Sequence, residues 1–303
     1  MRVLVTGARG QVGAELAREL AGRTEVLVHD RATLDLAKPD QIAARVREAR
    51  PDVIVNAAAY TAVDRAETEA DAAHAVNAVA PGVLGEEAKR ANALLIHFST
   101  DYVFDGTKRT PYLERDPTNP LGVYGRTKLA GEAAIAQSGC RHLILRTSWV
   151  YGPHGKNFLL TMLKLAQTRD ELRVVDDQRG APTSSRSLAR LVRELLDRNG
   201  DTDAVTRAEV DELASRSGLY HATAAGETSW FGFAQAIFAE VARYRRGFRA
   251  PRVLAIPTSE YPTPAKRPAY SVLSSAKLRE AFGVGIPDWR LGLEESISAL
   301  PEV

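Results

Sequence analysis

The chain has 303 residues, 45% hydrophobic and 26% charged, the profile of a folded globular protein with room for one large α/β domain or a domain with a smaller lobe. Its 40 basic and 38 acidic residues leave a formal net charge of +2 with no block of like charge, so neither a nucleic acid nor a membrane is the expected partner. A single cysteine, Cys140, rules out a disulfide framework and a cysteine zinc site, and reads as a small packed side chain. The first ten residues carry too short an apolar run for a signal peptide, and no stretch is long enough to span a bilayer. A cytoplasmic setting is expected.

The first half alternates two kinds of segment. Short apolar runs at 3–6, 26–29, 52–58, 94–100 and 142–148 read as strands covered on both faces. Segments rich in Ala, Leu, Glu and Arg at 11–22, 38–49, 72–91 and 124–138 have helical spacing. Such alternation predicts an α/β fold: a Rossmann-type, doubly wound parallel sheet with right-handed crossovers. Residues 1–150 are expected to form the dinucleotide-binding domain. The pattern then loosens, and 151–303 is expected to form a smaller lobe, with segments returning to the sheet. It holds helical stretches at 157–168 and 184–198, a strand at 218–224, a helix from about Thr228 to Tyr244, "RVLAIP", a proline-rich loop and two terminal helices. The polar stretch 199–217 reads as an insertion, open to being mobile.

Ligands of open parallel sheets bind beyond the carboxyl ends of the strands. That rule gathers Gly7 to Gly13, Asp30, Ala57 to Tyr60, Ser99 to Asp101 and Thr147 to Tyr151 around one crevice. The first strand runs into "TGARGQVG", in which Gly7, Gly10 and Gly13 form G-x-x-G-x-x-G. Glycines there allow a tight turn and close approach of backbone to phosphate, while the helix N-terminus favours the pyrophosphate charge. Asp30 ends the second strand and suits a ribose hydroxyl, which favours NADH; the adjacent Arg31 suits a 2′-phosphate, which favours NADPH. The choice between them is open at this level. Asp35 and Leu36 either offer adenine a polar group and an apolar wall or form a simple surface turn.

In "LGVYGRTKLAGE", Tyr124 and Lys128 stand four apart, on one face of a helix. With Thr100 at the end of the fourth strand they form a constellation for carbonyl reduction. The threonine would hold the carbonyl and Tyr124 would give the proton. Lys128 would bind the nicotinamide ribose and lower the phenol's pKa. The six histidines, at 29, 74, 97, 142, 154 and 221, lack metal-ligand spacing and read as packing or surface residues.

The segments "TGARGQVG", "NAAAYTAVDRAE", "FSTDYVFDG", "YGRTK", "RTSWVYG" and "DDQRGAPT" occur in the order and spacing of the extended short-chain dehydrogenases/reductases. More narrowly, nearly the whole chain resembles the dTDP-4-dehydrorhamnose reductase family. That resemblance implies NADPH- or NADH-dependent reduction at C4 of a dTDP-4-keto-6-deoxysugar. It further implies that Gly10, Gln11, Val12 and Gly13 cradle the pyrophosphate. Gly7, Asp30, Asp35, Leu36, Ala57, Ala59, Tyr60 and Thr61 would line the cofactor. Thr100, Tyr124 and Lys128 would be the catalytic set, and Asp101 and Trp149 would contact the sugar nucleotide. Asn157, Arg179 and Arg267 are further candidates for sugar or diphosphate contacts.

Some members of the family join subunits through Mg²⁺ held by acidic groups. Glu15 is present here, but Arg186 stands where a second acid is wanted, so a metal-bridged homodimer is doubtful, and whether a homodimer forms at all is open. Two other readings stand beside the reductase. One is a sugar-nucleotide epimerase or dehydratase, although the acidic pair of dehydratases is missing after Thr100. The other is a non-catalytic regulatory subunit of methionine adenosyltransferase, although Thr100, Tyr124 and Lys128 are all retained.

Overall fold

A computed structural model describes residues 1–197 and 205–300. Its first half is built from β1 (Arg2–Thr6), α1 (Gln11–Leu20), β2 (Glu25–His29), α2 (Pro39–Ala49) and β3 (Val53–Asn56). Then come α3 (Val63–Ala66), α4 (Ala70–His74), a π-helical turn Ala75–Val79, α5 (Ala80–Ala91), β4 (Leu94–Thr100), a 3₁₀ turn Asp101–Val103, α6 (Val123–Ser138) and β5 (Arg141–Thr147). The second half holds β6 (Val150–Tyr151), α7 (Phe158–Ala166), β7 (Glu171–Val175), β8 (Arg179–Gly180), β9 (Thr183–Ser184) and α8 (Ser185–Leu196). It continues with α9 (Arg207–Ala214), β10 (Gly218–His221), β11 (Thr228–Ser229), α10 (Trp230–Tyr244), β12 (Arg252–Ile256), α11 (Ala276–Phe282) and α12 (Trp289–Ser298).

Six of these strands form one parallel sheet in the order β10-β5-β4-β3-β1-β2. The chain lays β2 on one side of β1 and then builds outward from the other side through β3, β4 and β5. The reversal falls between β1 and β3, and a crevice opens at such a switch point. β10, from the later half, closes the far edge against β5.

The near-continuous apolar runs follow from covering both faces. Val3, Val5, Val53, Val55, Leu94, Ile96, Leu143 and Leu145 point into one core cluster, completed by residues of α1, α8 and α10. Leu4, Ile54, Leu95 and Ile144 alternate into the other, under α2, α5 and Ile135 of α6. Each such fully buried aliphatic side chain contributes roughly 1.5–3 kcal/mol. At the carboxyl ends, this second face turns polar: Leu4 gives way to Thr6, Ile54 to Asn56, Leu95 to His97 and Ser99, and Ile144 to Arg146. All five polar side chains are buried.

Two expectations need correcting. The helix read over 72–91 is α4 and α5 joined by the π-helical turn, which adds a residue to the turn and redirects the side chains after it. The stretch 199–217 is not one insertion. Residues 199–204 lie outside the described residues, but 205–217 holds α9, whose Thr206 and Glu209 form a reciprocal capping box. Val210 and Leu213 of α9 are fully buried in the core, and that is why a polar-looking segment is helical. Among the described residues no helix is long and apolar enough to cross a membrane.

Candidate active site

The loops after β1, β3, β4 and β5 enclose a cavity of about 1010 Å³. Gly7 adopts a left-handed conformation (φ 73°), and a Cβ there would stand 2.8 Å from Ala58 N. A Cβ on Gly13 would stand 2.1 Å from the Gly7 carbonyl oxygen, so only glycine lets α1 seat against the turn that precedes it. Gly7, Gly10, Gln11 and Val12 line the cavity; Gly13 sits behind them as a packing residue. The cradle that a dinucleotide pyrophosphate needs is therefore present in the backbone.

Asp30 also lines this cavity. Its carboxylate accepts from the Ala32 and Thr33 amides and lies 2.7 Å from Arg9 Nε. The Thr33 backbone contact, with Arg9 adding to it, holds the acid below its usual range. Arg31, Asp35, Leu36, Ala57, Ala59, Tyr60 and Thr61 share the lining. The Tyr60 loop is fixed from beneath by Asn77, in the π-helical turn. Asn77 Oδ1 accepts from Tyr60 N at 2.8 Å, and its Nδ2 donates to Tyr60 O at 3.0 Å and to Thr127 Oγ1 at 3.2 Å. No sequence pattern marked Asn77.

Thr100, Asp101, Tyr124 and Lys128 converge on the same cavity. The Thr100 hydroxyl donates to Asp101 Oδ1 at 3.0 Å and accepts from Tyr102 N at 3.2 Å. Asp101 is buried and burial pushes its carboxyl up to about 6, with the nearby Ser271 and Thr100 hydroxyls pulling back, yet no donor reaches hydrogen-bond geometry at its Oδ2. An orphaned acceptor of this kind suits a ligand hydroxyl. Thr147 Oγ1, also in the lining, is unpartnered too.

The relation between Tyr124 and Lys128 differs from the expected one. Lys128 is 2% exposed, and its Nζ lies 2.6 Å from Phe98 O and 3.2 Å from His97 Nε2. Burial pushes the Tyr124 phenol up to about 12, with a pull back from Thr100 and a further push from the Asp101 charge. Burial also brings Lys128 down to about 8, and Glu132, one turn further along α6, opposes that shift. Glu132 is itself paired with Arg146 through two hydrogen bonds of 2.9 and 2.6 Å and accepts from Ser99.

Trp149, at the end of β5, has a positive φ of 47°. Such a backbone is strained for a bulky residue. It directs the indole flat against Trp230, 3.5 Å between centroids and 4° between planes, over Gly180. Both indoles line the cavity. Trp230, 81 positions further along the chain, was not among the expected site residues.

The three remaining candidates lie outside this lining. Asn157 caps α7, accepting from Leu160 N, and spends its amide on Gln11, Gly152 and His154. Arg267 is paired with Asp64 at 2.8 Å. Arg179 pairs with Glu227 at 3.0 Å beside a shallower depression lined also by Lys108, Asp176 and Tyr270. Glu15 is fully buried between Arg18 (2.8 Å), the His154 ring (3.6 Å) and Arg186 (3.7 Å). Both guanidinium groups lie against Glu15 Oε2 and oppose a cation by charge, while Oε1 has no hydrogen-bond partner. No group of three or more potential metal ligands exists among the described residues.

Residues 1–301 match the model of the RmlD substrate binding domain family. A dTDP-4-dehydrorhamnose reductase of Burkholderia thailandensis is 50% identical over 297 residues, 96% of each chain. One from Escherichia coli is 41% identical over 304 residues, 99% of this chain and 98% of that one. Among solved structures, the Bacillus anthracis dTDP-4-dehydrorhamnose reductase in complex with NADP superposes with a TM-score of 0.88 at 34% identity, covering 98% of both chains. The UDP-glucose 4-epimerase of Thermus thermophilus, in complex with NAD, has a TM-score of 0.75 at 22% identity and shares the fold.

Proposed function

The chain belongs to the RmlD substrate binding domain family, and on that premise we propose that it reduces the C4 keto group of dTDP-4-dehydro-6-deoxy-L-mannose, yielding dTDP-L-rhamnose, with a reduced nicotinamide cofactor. The observation that carries this reading is the convergence of Thr100, Asp101, Tyr124, Lys128 and Trp149 on the cavity that the glycine turn opens. Residues 1–150 serve the dinucleotide, and 151–303 mainly the sugar nucleotide.

The bound cofactor supplies the hydride. Gly7, Gly10, Gln11 and Val12 present backbone to its pyrophosphate, with Gly13 keeping α1 close. Asp30 suits the adenosine ribose hydroxyls and Arg31 a 2′-phosphate, so both NADH and NADPH are accepted. Asp35, Leu36, Ala57, Ala59, Tyr60 and Thr61 complete that half.

Thr100 and Tyr124 bracket the C4 oxygen, and Tyr124 delivers the proton that the oxygen needs as hydride reaches carbon. A phenol near 12 still donates downhill to an alkoxide, which is about as basic as hydroxide (water pKa about 15.7). Asp101 Oδ2 takes a sugar hydroxyl, and the Trp149–Trp230 pair forms the apolar wall. Positioning by such groups accounts for much of the barrier reduction.

Consumption of NADPH with dTDP-4-keto-L-rhamnose, one cofactor per sugar, tests the reaction. Tyr124→Phe is expected to lower kcat by roughly 10²–10⁴-fold with cofactor KM nearly unchanged. Unchanged turnover in that variant would remove Tyr124 from the mechanism.

A further inference from the structure

Three neighbouring strands end the same face in polar residues at one register. Thr6 stands opposite Asn56, and Asn56 opposite His97. Thr6 Oγ1 is 2.6 Å from Asn56 Oδ1, Asn56 Nδ2 is 2.9 Å from His97 Nδ1, and His97 Nε2 is 3.2 Å from Lys128 Nζ. All four side chains are 2% exposed or less. The chain of contacts runs sideways beneath the cavity. At its far end Ala58 N, in the cavity floor, donates to Thr6 Oγ1 at 3.3 Å.

A neutral imidazole has one donor nitrogen and one acceptor. Burial keeps His97 neutral, and the Lys128 charge reinforces it. An ammonium has only hydrogens to offer, so against Lys128 as a cation Nε2 must accept. The ring proton then sits on Nδ1 and needs the Asn56 oxygen. Against Lys128 as an amine, Nε2–H donates to the lysine lone pair, and Nδ1 accepts from Asn56 Nδ2. With Nδ2 toward the ring, the chain is self-consistent with the amine; a half-turn of the amide suits the ammonium. The Thr6 hydroxyl fits either state, because it can donate or accept.

We propose that His97 is the positioning residue of Lys128, and that the Thr6–Asn56–His97 chain exchanges its donors and acceptors as the lysine gains or loses its proton. The proposal rests on the reading of Tyr124 and Lys128 as the working pair. It explains how a buried lysine can exist in both forms with every neighbour satisfied in each, which a fixed acceptor does not allow.

The surrounding charges leave the switch to these groups. Glu132 of α6 is the charge that acts on Lys128, and Arg146 of β5 is committed to Glu132. Tyr124 lies one turn before Lys128, and Asp101 at the end of β4 is held by Thr100. From the π-helical turn comes the Asn77 amide. Glu87 of α5 faces away to Arg47 and Arg90, and Asp64 of α3 to Arg267.

The test is ring-nitrogen NMR on protein labelled with ¹⁵N-histidine, with and without NADPH, the His97 signals being assigned by their loss in His97→Gln. From about pH 6.5 to about pH 9.5, His97 should pass from the Nδ1–H to the Nε2–H tautomer, while Lys128→Met should hold one tautomer throughout. A constant tautomer in the wild type, or the same change in Lys128→Met, overturns the proposal. In turnover, His97→Leu should lower kcat about tenfold and move the alkaline limb of the pH profile, with cofactor KM within about twofold. His97→Gln, whose amide both donates and accepts, should restore most of kcat. A variant that only melts earlier, with kcat and the pH limb unmoved, also refutes it. If Tyr124→Phe turned over normally, the working-pair reading would fall, yet the tautomer measurement would still decide whether the chain switches.

Discussion

Replacing Asn77 by alanine tests whether the π-helical turn holds the cofactor wall. Asn77 is 1% exposed, and its amide makes three hydrogen bonds, of 2.8, 3.0 and 3.2 Å, two of them to the Tyr60 backbone. Truncation removes three bonds, each worth about 1 kcal/mol net, and leaves the Tyr60 amide and carbonyl in a part-buried loop without these partners. The expected loss is about 3 kcal/mol, read as a lower urea midpoint at unchanged slope. Tyr60 also lines the cavity, so the KM for NADPH should rise about fivefold or more while kcat changes little. A loss of stability below about 1 kcal/mol would refute the assigned energetics. Normal stability loss with an unchanged cofactor KM would detach Tyr60 from the cofactor.

Three further outcomes follow from single contacts. Asp30→Ala leaves Arg9 and Arg31 unopposed at the cavity edge, so the ratio of kcat/KM for NADPH over NADH should rise about tenfold in initial-rate measurements; a fall would reverse the roles of Asp30 and Arg31. Gly180→Ala puts a methyl 2.4 Å from the Trp149 indole, which must leave its stack on Trp230. The KM for the sugar nucleotide should rise about fivefold with cofactor KM unchanged, and an unchanged sugar KM would remove the indole pair from the substrate wall. Treatment with EDTA should leave turnover and elution volume as they were, because Arg18 and Arg186 already neutralise Glu15; an activity loss restored by Mg²⁺ would contradict this.

Local rules carried the reading wherever a function needs neighbouring residues. The strands were legible because both faces are covered, so apolar runs had no gaps. The glycine turn was legible because Gly7, Gly10 and Gly13 lie within seven positions, and the Tyr124–Lys128 pair because α6 alone sets its spacing. What escaped depends on contacts between distant segments. Trp230 reaches Trp149 through the packing of α10, and Arg267 is spent on Asp64, 203 positions away. Thr6, Asn56 and His97 each look like the frayed end of an apolar strand, and only the sheet register sets them side by side. The upward push on Tyr124 was hidden for the same reason: helical spacing gives proximity on a face, not the burial that distant segments impose.

The burial of Tyr124 and Lys128 bears directly on how the pair works. Burial drives Tyr124 up, Lys128 down and Asp101 up, in each case toward the neutral form. At pH 7 a carboxyl near 6 and an ammonium near 8 are still mostly ionised, so the phenol is the group that stays uncharged at rest. A lysine that acidified the phenol beforehand would stabilise phenolate before the substrate needs a proton, and some of the donor would be lost. On the proposed mechanism, charge appears on Tyr124 only as its proton leaves, and His97 can then accept from Lys128 held in its ammonium form. An interaction that strengthens as the reaction proceeds lowers the barrier, whereas one already present in the ground state does not. The fold is silent on this point, since the same sheet also carries an epimerase. On the proposed mechanism, the chemistry resides in how Lys128 answers the charge that forms on Tyr124.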